Sequence, residues 1–402
     1  MGFGQGLSGL DAASQNLDVI GNNIANANTV GFKSATATFA DIYATSRVGL
    51  GVKVASIDQR FTVGNVTSTG GQYDIAIDGA NGFFRLVDAS GAVTYTRNGQ
   101  FRIDKDLNLV NAAGQQLTGY GPAGVGTAPV PLSLPTANIA PEATNSSGFV
   151  ANLNANANAI DPATTFDPTN AATYTDSQPM TVYDSLGNSH QLTQYFVKRE
   201  ANAAGESVYD VYYTLDGAAM TPASATLTFD KAGRMTSAPT VPVGFANPGG
   251  TGSPAADLAI TLDYTGTTQF GSDFKADFTP NGNTSGEFTN ISFGKDGSIV
   301  ANYTNGKTQV VGVVALANFN NVNGLQPVGD NAWSETSESG QAVLGQPGTN
   351  GLATLQGQAV EASNVNLSTE LVNMIVAQRT YQANTQTIKT QDQVLQSLLA
   401  IQ

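Results

Sequence analysis

Leu367-Ser-Thr-Glu-Leu371-Val-Asn-Met374-Ile-Val-Ala-Gln-Arg-Thr-Tyr381 continues through Ile388 to Leu395 and sets an apolar residue at every seventh position from Leu367. A seven-residue recurrence is the pattern of a helix that lays one stripe against a partner helix. Ser368 reads as its N-cap, with Glu370 in the first turn where the helix dipole favours a carboxylate, so a helix from Ser368 to Ile401 is expected. At 1.5 Å per residue such a helix is a rod of about 50 Å. The opposite end of the chain carries the same pattern in Phe3, Leu10, Leu17 and Ile24, which predicts a second helix over 2–26. Both rows have weak companions: Leu7, Ser14 and Gly21 in the first, and Leu371, Gln378, Thr385, Asp392 and Leu399 in the second. Half-apolar seams bury too little to hold isolated helices. The two are therefore expected to order by packing with each other and with further copies. The candidate polymerisation seam is Phe3, Leu7, Leu10, Leu17, Ile24, Leu367, Leu371, Met374, Tyr381, Ile388, Leu395 and Leu399.

Between the ends the pattern changes to short alternating runs broken by turn residues. Gly82-Phe-Phe-Arg-Leu-Val87, Val93–Thr96 and Phe101–Ile103 are separated by Ser90-Gly91 and Asn98-Gly99, which signals antiparallel hairpins. Proline first occurs at Pro122 and then clusters through Pro141, marking a boundary. A second β-rich block follows over 145–284, with strands expected at Met180–Tyr183, Gln191–Lys198, Val208–Thr214, Ala225–Phe229 and Ala259–Tyr264. Residues 285–345 return to the style of 71–120. The expected fold is multidomain and mainly β, with antiparallel β domains, one discontinuous and a second inserted in it. N- and C-terminal α-helices complete it as a coiled-coil-like pair. The expected domains are 1–33 with 361–402 (terminal helices), 34–70 with 346–360 (extended connector), 71–144 with 285–345 (discontinuous β domain) and 145–284 (inserted outer β domain).

Composition narrows the function. Charged residues are 12% of the 402, against about 25% in an ordinary soluble domain. Uncharged polar surface suits close packing against copies, where desolvating charge is costly. The net charge is −14, and residues 141–284 hold 14 acidic and 5 basic side chains, a local charge of −9. An acidic chain without a Lys/Arg cluster does not neutralise a nucleic-acid backbone. There is no cysteine, hence no disulfide and no thiolate metal site. No apolar run is long enough to span a bilayer, and the N-terminal residues lack the basic and apolar regions of a cleaved signal.

Catalytic and ligand motifs fail on inspection. Gly4-Gln-Gly-Leu-Ser-Gly9 matches a dinucleotide fingerprint but has no preceding strand. Asp104-Lys-Asp-Leu-Asn108 opens like a calcium loop, yet Leu109 and Gln115 stand where the turn glycine and the bidentate glutamate belong, so it reads as a hairpin turn. The single histidine, His190, lies in a polar turn region and is expected at the surface. The single tryptophan, Trp333, is expected as a core or interface anchor. No catalytic, cofactor or metal residues are assigned, and an enzyme is not expected.

Five segments, in three regions of the chain, carry a family resemblance. Leu17-Asp-Val-Ile-Gly-Asn-Asn-Ile-Ala-Asn-Ala-Asn-Thr-Val-Gly-Phe-Lys33 resembles the N-terminal signature of the bacterial flagellar rod and hook proteins. Asn81-Gly-Phe-Phe84 and Tyr95-Thr-Arg-Asn-Gly-Gln-Phe101 resemble the following domain of that family. Glu361-Ala-Ser-Asn-Val-Asn-Leu-Ser-Thr-Glu-Leu-Val-Asn-Met-Ile375, with Ala377-Gln-Arg-Thr-Tyr-Gln382, resembles its C-terminal signature. The signature positions are Asn22, Asn23, Asn26, Gly31, Phe32, Lys33, Glu361, Ser363 and Asn364. The resemblance implies an axial structural subunit that is exported unfolded by the flagellar type III apparatus and self-assembles into a helical polymer. The extra block at 145–284 points to the hook-forming branch: a curved hollow tube that acts as a flexible joint and transmits torque from rod to filament. A distal rod-type axial protein is the alternative. Implied partners are further copies of the chain, the distal rod protein, the hook cap and the hook–filament junction protein, with no nucleic acid, no cofactor and no membrane insertion.

Overall fold

The computed structural model describes residues 3–42, 49–124, 126, 128–135 and 137–399, with side chains to 397 at the C-terminal end. The chain is mainly β, with one long helix at each end: α1, Phe3–Ala25, and α2, Leu367–Leu399. α1 stops where Asn and Gly accumulate. α2 starts one residue before the expected Ser368, because Asn366 is the cap. Its Oδ1 accepts the Thr369 N–H at 3.1 Å and its carbonyl accepts the Glu370 N–H at 3.0 Å. The stretch expected as an extended connector holds two paired strands. Its strands β1, Ala35–Asp41, and β2, Val52–Gln59, are antiparallel, with a bulge between Thr38 and Phe39.

The chain divides into two compact units. The first comprises Met1–Pro135, Asn290–Asn302 and Thr308–Gln402, and the second Thr136–Thr289 and Tyr303–Lys307. In the first unit, strand Phe83–Val87 pairs with Val93–Thr96 on one side and with Gln116–Tyr120 on the other. The later segment enters the same sheet through Ala332–Ser334 beside Val93–Thr96, and through Thr308–Val314 beside Gln116–Tyr120. Phe83, Tyr95, Phe319 and Trp333 form its aromatic core. Phe61, just beyond β2, packs edge-on against Phe83 and Trp333 at 5.7 and 5.5 Å, and the Trp333 Nε1–H donates to Gln59 Oε1 at 2.6 Å. The indole thus satisfies its one donor while its rings fill the core.

The second unit is a nine-stranded sheet in the order Asp176–Tyr183, Ser189–Arg199, Ser207–Leu215, Ala218–Phe229, Thr240–Phe245, Leu258–Asp263, Ser146–Asn154 and Thr268–Phe270, with Lys275–Pro280 also paired to Ser146–Asn154. Alternate residues of each strand point inward; Phe149, Phe196, Val211, Leu227 and Leu262 are all fully buried. Within this core the Tyr264 hydroxyl lies 3.1 Å from that of Tyr213 and donates to Gln194 Oε1 at 2.6 Å. Burial raises both phenol pKa values well above the ordinary range, and burial pushes Tyr209 up to about 12. The folded unit holds these protons above pH ~10, where the unfolded chain releases them. The unfolded state then binds fewer protons, so stability falls with rising pH by about 1.4 kcal/mol per pH unit for each tyrosine. Thermal melts followed by circular dichroism from pH 9 to 12 are expected to show this loss, and Tyr213→Phe to make it shallower.

His190, expected at the surface, is 9% exposed. Its Nδ1 lies 2.7 Å from Asp216 Oδ2 and its Nε2 lies 3.4 Å from Asp184 Oδ2. Its ring sits between Asp184 of its own polar turn and Asp216 of the neighbouring hairpin turn.

One turn recurs in both units. Its sequence is Asp/Asn-x-x-Gly-x, starting at Asp88, Asn111, Asp184, Asn202 and Asp230. Each first side chain accepts the backbone N–H four residues on, at 2.8–3.0 Å. The glycines have φ between 75° and 88°, the left-handed region in which a Cβ is strained. The calcium-like Asp104 segment is a sixth copy, with Leu107 at φ 63° in the glycine position. A Cβ at Gly205 meets only the flexible end of Lys231 at 3.3 Å, whereas one at Gly233 meets the Gln269 carbonyl oxygen at 2.3 Å. Gly205→Ala is therefore expected to cost about 1 kcal/mol and Gly233→Ala more than about 2 kcal/mol. Urea unfolding of the two variants checks the order.

Candidate functional site

α1 and α2 pack antiparallel through the smallest residues of α1. A Cβ on Gly6 would lie 3.1 Å from Ile388 Cγ1, and one on Gly9 would lie 3.0 Å from Asn384 Nδ2. On α2 the less exposed positions include Glu370, Met374, Ala377, Tyr381, Asn384, Ile388 and Gln391, spaced four and three apart. Met374, Tyr381 and Ile388 of the expected row thus face the partner helix. Of the described members of the expected companion row only Thr385 is half-buried: Leu371 is 46% exposed and Gln378 and Asp392 are exposed. The companion row is instead Ala377, Asn384 and Gln391, three residues beyond each member of the first row; Asn384 fits against Gly9, where α1 carries no side chain. On α1 the buried positions are Gly6, Ala12, Ala13, Val19, Ile20 and Asn23, with Leu10, Leu17 and Ile24 half-buried beside them. Phe3, Leu7, Leu367 and Leu395 are about half exposed, outside the contact between the two helices. The Leu399 side chain lies outside the described residues. A cavity of about 680 Å³ opens between the helices and the β1–β2 ribbon, lined by Ala12, Ala13, Val19, Phe39, Asn373 and Val376 among others.

The signature residues converge on a buried charge cluster at the foot of this helix pair. Strand Ala359–Glu361 pairs with Val66–Ser68, which brings Glu361 between two cations. Its Oε1 accepts the Lys33 ammonium at 2.6 Å and the Gly64 N–H at 2.8 Å, and its Oε2 accepts Arg97 Nη1 at 3.1 Å. The three charged side chains are at most 1% exposed. Lys33 also donates to the Thr62 carbonyl at 2.7 Å, and Arg97 to the carbonyls of Gly79 and Ala80. The Arg97 guanidinium lies over the Phe83 ring at 5.3 Å. Burial pulls the Lys33 and Arg97 pKa values down; Glu361 counters this at both sites, while Arg97 adds to the depression at Lys33. One carboxylate thus holds two cations in a site without water access. Removing it would leave two buried charges of the same sign.

The neighbouring signature residues fasten the same junction. Asn364 Oδ1 accepts the Ser34 N–H at 2.7 Å and its Nδ2 donates to the Arg60 carbonyl at 2.6 Å. Asn23 exchanges two hydrogen bonds with the Ala35 backbone, at 2.8 and 2.9 Å. Asn26 caps the end of α1 by donating to the Asn22 carbonyl at 3.0 Å. Gly31 has φ 72° and donates its N–H to the Glu361 carbonyl at 2.8 Å; a Cβ there would lie 2.6 Å from the Asn98 nitrogen. Phe32 is buried beside it, and Ser363 Oγ accepts the Val365 N–H at 3.3 Å. Arg97, Gly64 and Thr62 carry no signal in the sequence that marks them for this site. Arg97 lies inside a quoted family segment, but nothing in its spacing pairs it with a carboxylate 264 residues away. Among the described residues no group of three or more His, Asp or Glu side chains is placed to hold a metal ion, and no helix is long and apolar enough to cross a membrane.

Four family models match the chain in order: a flagella basal body rod protein at 5–33, the flagellar hook protein FlgE/F/G D1 domain at 76–152, the flagellar basal body protein FlaE D2 domain at 152–283 and the flagellar basal body rod FlgEFG protein C-terminal at 356–401. The chain is 46% identical over 409 residues to the flagellar hook protein FlgE of Salmonella typhimurium, with 99% of each chain covered. It is 45% identical over 411 residues to that of Escherichia coli K12, again over 99% of each, and 33% identical over 443 residues to that of Borreliella burgdorferi, over 98% of each. Among solved structures, the Helicobacter pylori flagellar hook protein FlgE2 has a similar fold, with a TM-score of 0.55, 14% identity, 74% of this chain covered and 100% of the other.

Proposed function

Since this chain belongs to the flagellar hook protein family, we propose that it is the structural subunit which polymerises into the hook, a curved hollow tube in the bacterial flagellum that transmits torque from rod to filament while bending. The observation that carries this reading is near-full-length identity of 46% to a hook protein, including the block at 145–284 that sets this chain apart from a short rod subunit. Self-assembly is supported by what the helix pair leaves open: Leu371, Val372 and Ile375 are 46, 59 and 52% exposed on the side of α2 turned away from α1. An exposed contiguous apolar stripe of this kind marks a contact surface.

Within this reading the terminal segments 1–33 and 361–402 line the inner wall, the β domain of 71–144 with 285–345 forms a middle layer, and 145–284 the outer one. Compliance resides in the Gly-, Pro- and Asn-rich links near 120–145 and 280–285. The distal rod, the hook cap, the hook–filament junction protein and the export apparatus are its proposed partners. Electron microscopy of the purified chain under polymerising conditions tests the assignment. Curved tubes are expected. Straight rigid tubes would favour the distal rod alternative, and failure to polymerise would overturn both.

A further inference from the structure

We propose that Asn350 is a modification site, at which the folded chain deamidates selectively. The sequence holds six Asn-Gly pairs, beginning at Asn81, Asn98, Asn281, Asn305, Asn323 and Asn350. Such pairs share one chemistry. The backbone nitrogen of the glycine attacks the side-chain Cγ of the asparagine, an N–Cγ bond forms, and the Cγ–Nδ2 bond breaks. Ammonia leaves, taking up the proton released from the glycine nitrogen. Water then opens the resulting succinimide at either carbonyl and leaves aspartate or isoaspartate. Glycine permits the attack because no Cβ obstructs the nitrogen. The reaction needs no co-reactant other than water.

The fold restrains five of the six. Asn281 uses both ends of its amide, accepting the Asn145 and Ser146 N–H groups at 3.1 Å and donating to Asn145 Oδ1 at 2.7 Å. Asn305 donates to the Thr284 carbonyl at 2.7 Å while the Gly306 N–H is bonded to the Tyr303 carbonyl. Asn98 accepts the Gln100 N–H, and Gly99 is buried against the Ile75 carbonyl. Asn81 donates to the Gly351 carbonyl at 3.2 Å and precedes a buried glycine, and the Gly324 N–H after Asn323 is bonded to the Asn321 carbonyl. Asn350 differs on each count. It and Gly351 are exposed, and neither the Asn350 amide nor the Gly351 N–H has a hydrogen-bond partner among the described residues. Both occupy the left-handed region, at φ 50° and 77°, in a turn closed by the Leu352 N–H to the Thr349 carbonyl at 2.9 Å. That turn type leaves the nitrogen of its third residue free. Conversion adds one negative charge to the turn that leads into strand Thr354–Gly357, the partner of Ile75–Asp78.

The test is peptide mapping by mass spectrometry, with isoaspartate detection, of the full chain held folded near neutral pH and, in parallel, in concentrated urea. In the folded sample, conversion at Asn350 is expected to exceed that at Asn281 and Asn305 roughly tenfold, the effect of one hydrogen bond lost from each attack geometry. In urea the six sites are expected to converge. An intact Asn350, or equal conversion at Asn281 and Asn305 in the folded chain, overturns the proposal. So does a lead of Asn350 that persists unchanged in urea, since the fold would then not be the selector.

Discussion

Glu361→Gln is expected to lower the stability of the first unit by about 3–5 kcal/mol, the cost of leaving buried charge without its partner. The amide keeps the size of the carboxylate but not its charge, so Lys33 and Arg97 would face each other in a site that is at most 1% exposed. The measurement is available because Trp333, the only tryptophan, sits in the core of this unit. Its fluorescence follows the first unit alone, while tyrosine signals report on the second as well. The tryptophan transition should move to lower urea with the second unit unchanged. The loss should also depend on pH with a definite sign. Burial depresses the Lys33 pKa, and without Glu361 nothing counters that depression. The folded variant then sheds the Lys33 proton at a pH where the unfolded chain still binds it. The unfolded state binds more protons, so the variant gains stability as pH rises through the alkaline range. Replacing all three charged residues together by Lys33→Met, Arg97→Leu and Glu361→Met should recover most of the loss, because an apolar cluster of similar volume needs no counter-charge. A tryptophan transition unmoved by Glu361→Gln would show that the cluster does not hold the junction.

Much of this architecture is legible in the sequence for a simple reason: a period survives whatever surrounds it. Met374, Tyr381 and Ile388 announce their shared face because seven residues make two helical turns. The hairpin at Ser90-Gly91 announces itself because its turn needs a left-handed residue, which Gly91 supplies at φ 88°. Asn98-Gly99 does not close the hairpin it suggests, since Val93–Thr96 pairs with Phe83–Val87 and Ala332–Ser334, and Arg102–Ile103 with Leu109–Val110. What the sequence hides is set by partners far along the chain. The companion row on α2 follows Gly6 and Gly9 of α1, whose contribution is an absence of side chain and carries no hydrophobic signal. Lys33 and Glu361 meet across 328 residues, and Arg97 joins them from a third segment. His190 reads as exposed because its own turn is polar; Asp216, brought in from the neighbouring hairpin turn, meets the ring from outside that turn.

Ile388→Asp and Ile375→Asp together separate the contact within a subunit from the contacts between subunits. Ile388 presses on Gly6, where a Cβ would come within 3.1 Å. An aspartate there removes half-buried apolar area worth about 1–2 kcal/mol and brings a carboxylate against the α1 backbone at further cost. A combined loss of about 3 kcal/mol raises the concentration needed for polymerisation roughly 100-fold. Both compact units should keep their β structure, since neither aromatic core includes residue 388. Ile375 is 52% exposed and points away from α1, so its replacement leaves the helix pair intact in the single subunit. Circular dichroism should therefore show less helix for Ile388→Asp and unchanged helix for Ile375→Asp, while sedimentation and electron microscopy show tubes lost in both. If Ile375→Asp polymerises normally, the exposed stripe is not a contact between copies. If Ile388→Asp does so, the helix pair is dispensable for assembly. The two positions are 13 residues apart on one helix, so any general effect of an added charge on α2 would strike them alike, and only a difference in helix content with a shared loss of tubes assigns each face its own partner.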